Sequence, residues 1–289
     1  MPAPLLAVDA PFVLFRSFFA LPQSITGVDE RPIGALLGAT NLMLRIAADQ
    51  QPRAIVMCFG ADAAAYRVEL YPPYHAARPE VPEALAWQFE QAPELFSSFG
   101  WGVETTDTLE ADDLLHSFAR LEVADGGRAL IATGDRDMYQ CAGGDIKVLF
   151  LKMGGSGVEE VDGDEVKRRY GVSPQLVPDF IALRGDPSDG LPGAPGIGPK
   201  TATELLGRYG SLPEAIANAD AERPRIAAAL RDNAAQLLAF RDIATLRDAE
   251  VERPSDAPTD LRRGAEAARR YGMGRLAERL DKAGSLADI

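Results

Sequence analysis

A chain of 289 residues, 46% hydrophobic and 25% charged, is long enough for one large or two modest domains and has an ordinary globular balance. No apolar run approaches the ~20 residues a membrane helix needs, and the opening MPAPLLAVDAPF shows neither a basic segment nor a long apolar one, so neither a helical membrane span nor a secretory signal is expected. The net charge of −13 falls entirely on residues 1–197, with 15 Lys+Arg against 28 Asp+Glu; residues 198–289 hold 15 of each, so charge alone neither supports nor excludes a nucleic-acid partner.

Residues 4–9, PLLAVD, read as a short buried strand ending in Asp9. After a bend at 31–33, apolar residues from Ala35 to Ala47 recur with helical spacing. Residues 53–59, RAIVMCF, make a second apolar strand ending at Gly60. Its Cys58 and the later Cys141 have neither metal-ligand nor disulfide spacing, so both are expected to be packed in a protein of the reducing cytoplasm. A long connection over 60–98 carries Tyr71-Pro72-Pro73-Tyr74, His75 and Arg78, then a helical stretch from Leu85; it suits either a substrate gate or a covering helix with a Pro-rich lead-in. Residues 101–105 are a third strand running into Glu110-Ala111-Asp112-Asp113 and a helix, and 128–133 are a fourth, followed by Gly134-Asp135-Arg136-Asp137. Residues 143–163 are expected to form a Gly-containing hairpin, and helices follow from about residue 174. Apolar strands alternating with helices predict an α/β fold, a Rossmann-like, mostly parallel sheet with helices on both faces.

The acids after the third strand have two readings in isolation. They are either a solvated first helical turn favoured by the helix dipole or part of a cation site. Unit charges ~4 Å apart repel by ~4 kcal/mol at an effective dielectric near 20, so a packed cluster calls for compensation. In a parallel sheet, ligands sit outside the carboxyl ends of the strands. That rule brings Asp9, Glu110, Asp112, Asp113, Asp135 and Asp137 to one edge and favours a metal. Asp186 and Asp189 lie in a later loop, just before Gly193-Ala194-Pro195-Gly196-Ile197-Gly198-Pro199-Lys200-Thr201. Gly-x-Gly opening a helix offers backbone amides to a phosphate, with Lys200 adding charge. Hard oxygen donors suit Mg²⁺ or Mn²⁺, and phosphodiester hydrolysis by two or more such ions is the chemistry that fits.

The segments VDAPFVLFRSFFAL, YRVELYPPYHAARPEVP, TLEADD, TGDRDM and FIALRGDPSDGLPGAPGIGPKTA, in that order, resemble the 5′-nuclease family of flap endonucleases and of the 5′-3′ exonuclease domains of bacterial repair DNA polymerases. The resemblance covers most of the chain and is to a stand-alone member. It implies a PIN-like nuclease domain over 1–174, with a gateway at about 60–98, and a helical helix–hairpin–helix domain over 175–289. It implies that the eight acids named above, Asp9 through Asp189, bind metal, and that Gly196, Gly198, Lys200 and Thr201 grip duplex DNA with a bound K⁺. Arg78, His75 and Arg16 match basic positions beside the scissile phosphate. The implied partner is DNA with a 5′ flap, nick or duplex–single-strand junction, met by a monomer in replication and repair.

Two positions depart from the family pattern. Gly60 stands where the pattern has an acid, with Asp62 a conceivable substitute, and His75 stands where it has a lysine. Altered activity with weakened exonuclease action is therefore expected, and Gly60→Asp is expected to tighten metal dependence or raise exonuclease activity. The competing readings are a junction-binding protein with little catalysis and a related metal-dependent ribonuclease.

Overall fold

The computed structural model describes residues 2–28, 30–153 and 157–288. The first part alternates strand and helix: β1 (Leu5–Asp9), α1 (Ala10–Ala20), α2 (Gly34–Gln50), β2 (Ala54–Phe59), α3 (Ala65–Leu70), α4 (Glu83–Ser98), β3 (Gly102–Thr105), α5 (Ala111–Ala124), β4 (Ala129–Thr133), β5 (Ile146–Leu151) and β6 (Val158–Val161). Helices follow: α6 (Gly163–Tyr170), α7 (Val177–Arg184), α8 (Pro199–Tyr209), α9 (Leu212–Ala217), α10 (Pro224–Asp232), α11 (Ala234–Ala244), α12 (Leu261–Arg270) and α13 (Gly274–Lys282). None of these helices is long and apolar enough to cross a membrane.

The six strands form one sheet in the order β3-β2-β1-β4-β5-β6. Every neighbouring pair is parallel except β5 with β6. Strand order reverses between β1 and β4, so the crevice at a topological switch point opens where Asp9 ends β1 and Thr133 ends β4. All five residues of β1 and of β4 are buried, as strands covered on both faces require. The expected hairpin after residue 143 is present, and its first strand also extends the sheet by pairing parallel with β4; residues 154–156 lie outside the described residues. Helix begins earlier than the expected residue 174. Asp162 caps α6 by accepting the Glu165 amide, and Val166 alone anchors this otherwise polar helix.

Helices cover both faces of the sheet. Leu114, Leu115 and Phe118 of α5 pack with Phe180 and Ile181 of α7 on one side. On the other, α1, α2 and α4 are joined by Ala265, Ala268, Leu276 and Ala277 of α12 and α13, so the C-terminal helices return to the sheet. The extended segment 245–260 makes that return along α5. The Ala249 amide donates to Ser117 Oγ (2.7 Å), Arg253 Nε to Glu122 Oε2 (2.9 Å), and the Ala257 amide to the Arg53 carbonyl (2.8 Å). Glu122, with 1% of its side chain exposed, is clasped between Arg53 and Arg253. Burial works against its charge, yet hydrogen bonds from Arg53 and Arg253 hold its carboxyl below the usual range.

Removing one member of a buried pair leaves uncompensated charge. Glu122→Ala is therefore expected to lower stability by about 3 kcal/mol, read by denaturant unfolding, and to expose 246–260 to limited proteolysis. Unchanged stability and cleavage would show that the clasp does not hold the segment.

Candidate metal centre

Asp9, the last residue of β1, is also the N-cap of α1. It accepts the Phe12 amide (2.9 Å) and the Thr133 hydroxyl (2.7 Å). Thr133 Oγ in turn accepts the Asp135 amide (3.0 Å), and Asp135 Oδ1 accepts the Asp137 amide (2.8 Å). A short relay of hydrogen bonds thus aims the turn after β4 at the end of β1. Gly134 within this turn lies under the Phe12 ring, which a Cβ there would strike.

Burial pushes the Asp9 carboxyl up, and it pushes Asp112 and Asp137 well up. The next causes are other acids: Asp135, Asp9 and Glu110 acting on Asp112, and Asp135, Asp189 and Asp186 acting on Asp137. Asp135 is pushed up to about 7, by burial first and then by Asp189. Asp9, Asp112, Asp135, Asp137, Asp186 and Asp189 therefore share one field, although the last two arrive from a loop after α7. Among the described residues, no three His, Cys, Asp or Glu side chains form a group ready to hold an ion.

Glu110 and Asp113, expected as metal-binding acids, are hydrogen-bonded to neighbouring elements in this structure. Arg67 of α3 donates Nη1 and Nη2 to Asp113 Oδ2 and Oδ1 (3.0 and 2.9 Å). The amides of Glu110 and Arg247 also donate to Oδ2 and Oδ1 (3.1 and 2.8 Å). Asp113 thus meets four donors and is fully buried. Glu110 accepts the Ala64 amide (2.8 Å) on Oε1 and the Tyr74 hydroxyl (3.0 Å) on Oε2, and Arg67 Nη1 lies 3.1 Å from Oε1. Burial opposes the Arg67 charge, but Glu110 and Asp113 hold its pKa above the usual value.

Gly60 is closed space rather than a vacancy. A Cβ there would collide with the Ala111 amide nitrogen and the Glu110 backbone, and the Ala61 amide donates to the Leu109 carbonyl (2.9 Å). Asp62 does not take its place, because its side chain is 81% exposed and pairs with Arg78 (3.4 Å). His75 is buried at a φ of 56°, with Nδ1 2.7 Å from the Asp62 carbonyl and Nε2 3.1 Å from Asp189 Oδ1. Both partners are acceptors, so the two bonds form together when the ring carries two protons or Asp189 carries one. Arg78 Nη2 reaches the same Asp189 oxygen at 3.4 Å. Arg16 lies about two turns along α1 from Asp9 and donates Nε to the Lys152 carbonyl (2.9 Å).

At the hairpin, Gly196 has a φ of 75°, Gly198 precedes α8 without a side-chain cap, and Lys200 is exposed in its first turn beside half-buried Thr201. Arg225 of α10 rests its guanidinium against Gly196. The roles of Arg67 and Arg225 carry no local sequence signal, since each meets partners far along the chain.

A raised carboxyl pKa means the folded state holds protons that the unfolded chain has released, so stability falls as pH rises between about 4 and 7. In EDTA, the Tm is expected to drop between pH 5.5 and pH 8, with a shallower drop for Asp135→Asn; a rise with pH would contradict the reading. Gly60→Asp is expected to displace the start of α5 and lower Tm, the reverse of a restored ligand; an unchanged Tm would show that the backbone yields there.

Two family models match in order: the 5′-3′ exonuclease N-terminal resolvase-like domain over residues 4–171 and the 5′-3′ exonuclease C-terminal SAM fold over 172–264. A 5′-3′ exonuclease of Mycobacterium tuberculosis is 35% identical over 98% of this chain and 98% of its own. One of Streptomyces coelicolor is 31% identical over 94% and 97%. The chain also matches DNA polymerase I of Mycobacterium bovis at 35% identity over 87% of its length, spanning 28% of that relative. Among solved structures, the bacteriophage T5 flap endonuclease in complex with DNA and metal ions aligns with a TM-score of 0.69 at 16% identity over 99% of this chain and 100% of its own. The catalytic core of Rad2 in complex with DNA substrate aligns with a TM-score of 0.64 at 16% identity over 97% of this chain and 90% of that one. The fold is thus that of the T5 and Rad2 nucleases, and the chain belongs to the 5′-3′ exonuclease family, as a resolvase-like α/β part followed by a helical SAM-fold part.

Proposed function

We propose that the protein is a divalent-metal-dependent 5′ nuclease that hydrolyses DNA phosphodiesters at 5′ flaps, nicks and duplex–single-strand junctions, in replication and repair. The observation that carries this reading is the shared field of six carboxylates at the switch point between β1 and β4, in a chain of this family. The donors are all oxygen, which fits Mg²⁺ or Mn²⁺, and their mutual repulsion is what a divalent ion offsets. Asp9, Asp112 and Asp135 would hold one ion and Asp137, Asp186 and Asp189 another. Bound there, such ions supply an activated water and stabilise the leaving 3′ oxygen.

The chain's own residues complete the site. Arg78, the only exposed Lys or Arg within 61–98, stands at Asp189, and His75 lies against the same carboxylate; in this reading Arg78 would donate to the scissile phosphate. Glu110 and Asp113 hold the start of α5 so that Asp112 faces the crevice. Gly196, Gly198, Lys200 and Thr201, with K⁺, would hold duplex by its phosphates and read no sequence. In this reading residues 1–174 are the nuclease part with its gateway over 60–98, 175–289 the DNA-binding part, and the protein a cytoplasmic monomer. A gateway with one exposed arginine grips a free strand poorly, in keeping with exonuclease action weaker than flap cleavage.

The test is cleavage of a labelled 5′-flap DNA in Mg²⁺ or Mn²⁺. Asp112→Asn is expected to lower the rate by more than the ~100-fold typical of losing an outer-shell partner, with flap binding retained. Tight binding by the unsubstituted protein without metal-dependent product would overturn the proposal in favour of a junction-binding protein.

A further inference from the structure

The six carboxylates are not held alike. Asp9 takes only neutral donors, the Phe12 amide and Thr133 hydroxyl, and Asp135 takes the amide of its own turn. Each loop acid accepts from an arginine. Asp189 meets His75 and Arg78, while Asp186 Oδ2 accepts Arg184 Nη2 at 3.2 Å, its Oδ1 accepting the Ser188 amide (2.9 Å) and hydroxyl. Arg184 ends α7, and its guanidinium lies 5.3 Å from the Phe180 ring and 5.9 Å from the Tyr170 ring. Those rings stack at 5.0 Å and give the cation an apolar platform. Its Nε is buried without a partner, so the present pose leaves one donor unmet. Beside this platform opens a cavity of about 480 Å³, lined also by Lys200 at the start of α8.

We infer that Arg184 is a placeholder for the second divalent cation: it neutralises Asp186 in the free protein and turns into the cavity beside Lys200 when a duplex phosphate enters there. The two ion sites are then unequal. The site of Asp9, Asp112 and Asp135 fills without DNA, whereas that of Asp137, Asp186 and Asp189 competes with a tethered guanidinium until nucleic acid draws it away. The orphaned Nε gains a phosphate acceptor in the second pose, and the bidentate fork of arginine suits that partner. The inference rests on the metal reading proposed above, and the experiment separates the two.

Mn²⁺ binding to the full chain is followed by the electron paramagnetic resonance signal of the free ion, with and without a covalently closed dumbbell duplex that offers no 5′ end to cleave. The unsubstituted protein is expected to take one Mn²⁺ at least about tenfold more tightly than a second, with the duplex closing most of that gap. Arg184→Met, which keeps the apolar stack, is expected to tighten the second site about tenfold without DNA and to erase the effect of the duplex; Arg184→Lys, with charge but no fork, is expected to fall between. Thermal melts establish that each variant is folded. Two equal sites in the unsubstituted protein, or a second site unmoved in Arg184→Met, would sink the placeholder role while leaving the metal reading intact. No Mn²⁺ bound by either protein would overturn the metal reading and this inference with it.

Discussion

One buried arginine fixes the orientation of the acidic helix. Arg67 is 3% exposed and binds Asp113 and Glu110 at the start of α5 and, through Nε, the Ile243 carbonyl of α11 (3.0 Å). A buried ion pair gains little over apolar packing, because desolvation offsets the Coulombic attraction. What it supplies is specificity of geometry. Successive residues of an α-helix point ~100° apart, so an Asp113 committed to Arg67 turns its neighbour Asp112 elsewhere, into the field of Asp9 and Asp135. Helix α3, the acidic helix and the helical module therefore settle into one arrangement through a single side chain.

The crevice then has a charge problem that the fold does not remove. Six carboxylates share one field; burial raises the pKa values of four of them, and neighbouring acids raise three of those, Asp112, Asp135 and Asp137, further. The chain relieves the repulsion unevenly. It lends arginines to the loop acids, Arg184 to Asp186 and Arg78 to Asp189, and leaves the strand-end acids Asp9 and Asp135 to hydroxyl and amide donors.

Much of this was legible in the sequence, for a definite reason. Asp9, Asp135 and Asp137 follow apolar runs that read as buried strands, and the rule that ligands gather at strand carboxyl ends does not depend on side-chain orientation. Asp112 and Asp113 mark where that reasoning stops. Adjacent acids on one helix look equivalent in sequence, and only the distant partner Arg67, 46 residues away from Asp113, distinguishes them. Gly60 fails as a vacant ligand position for a similar reason, since the backbone of Glu110 and Ala111 that excludes a side chain comes from another element. The return of α12 and α13 to the sheet was equally hidden. The alanines of α12 and the leucines of α13 signal burial but not against which neighbour.

The α5 helix joins these observations mechanically. One end carries the acids. Further along, Ser117 bonds the Asp113 carbonyl (2.7 Å) and receives the Ala249 amide, and Glu122 binds Arg253 of the same returning segment. Asp113 itself accepts the Arg247 amide, so segment 245–260 is hydrogen-bonded to the acidic helix near its start, middle and end. The segment leaves the helical module at α11 and enters the core of the sheet at α12. Any displacement of that module relative to the sheet must strain these bonds first, and the first of them falls on the residue that sets Asp112. The acidic turn is thus fixed by parts of the chain that lie outside the strand-end pattern, which ties the geometry of the site to the seating of the helices proposed to hold DNA.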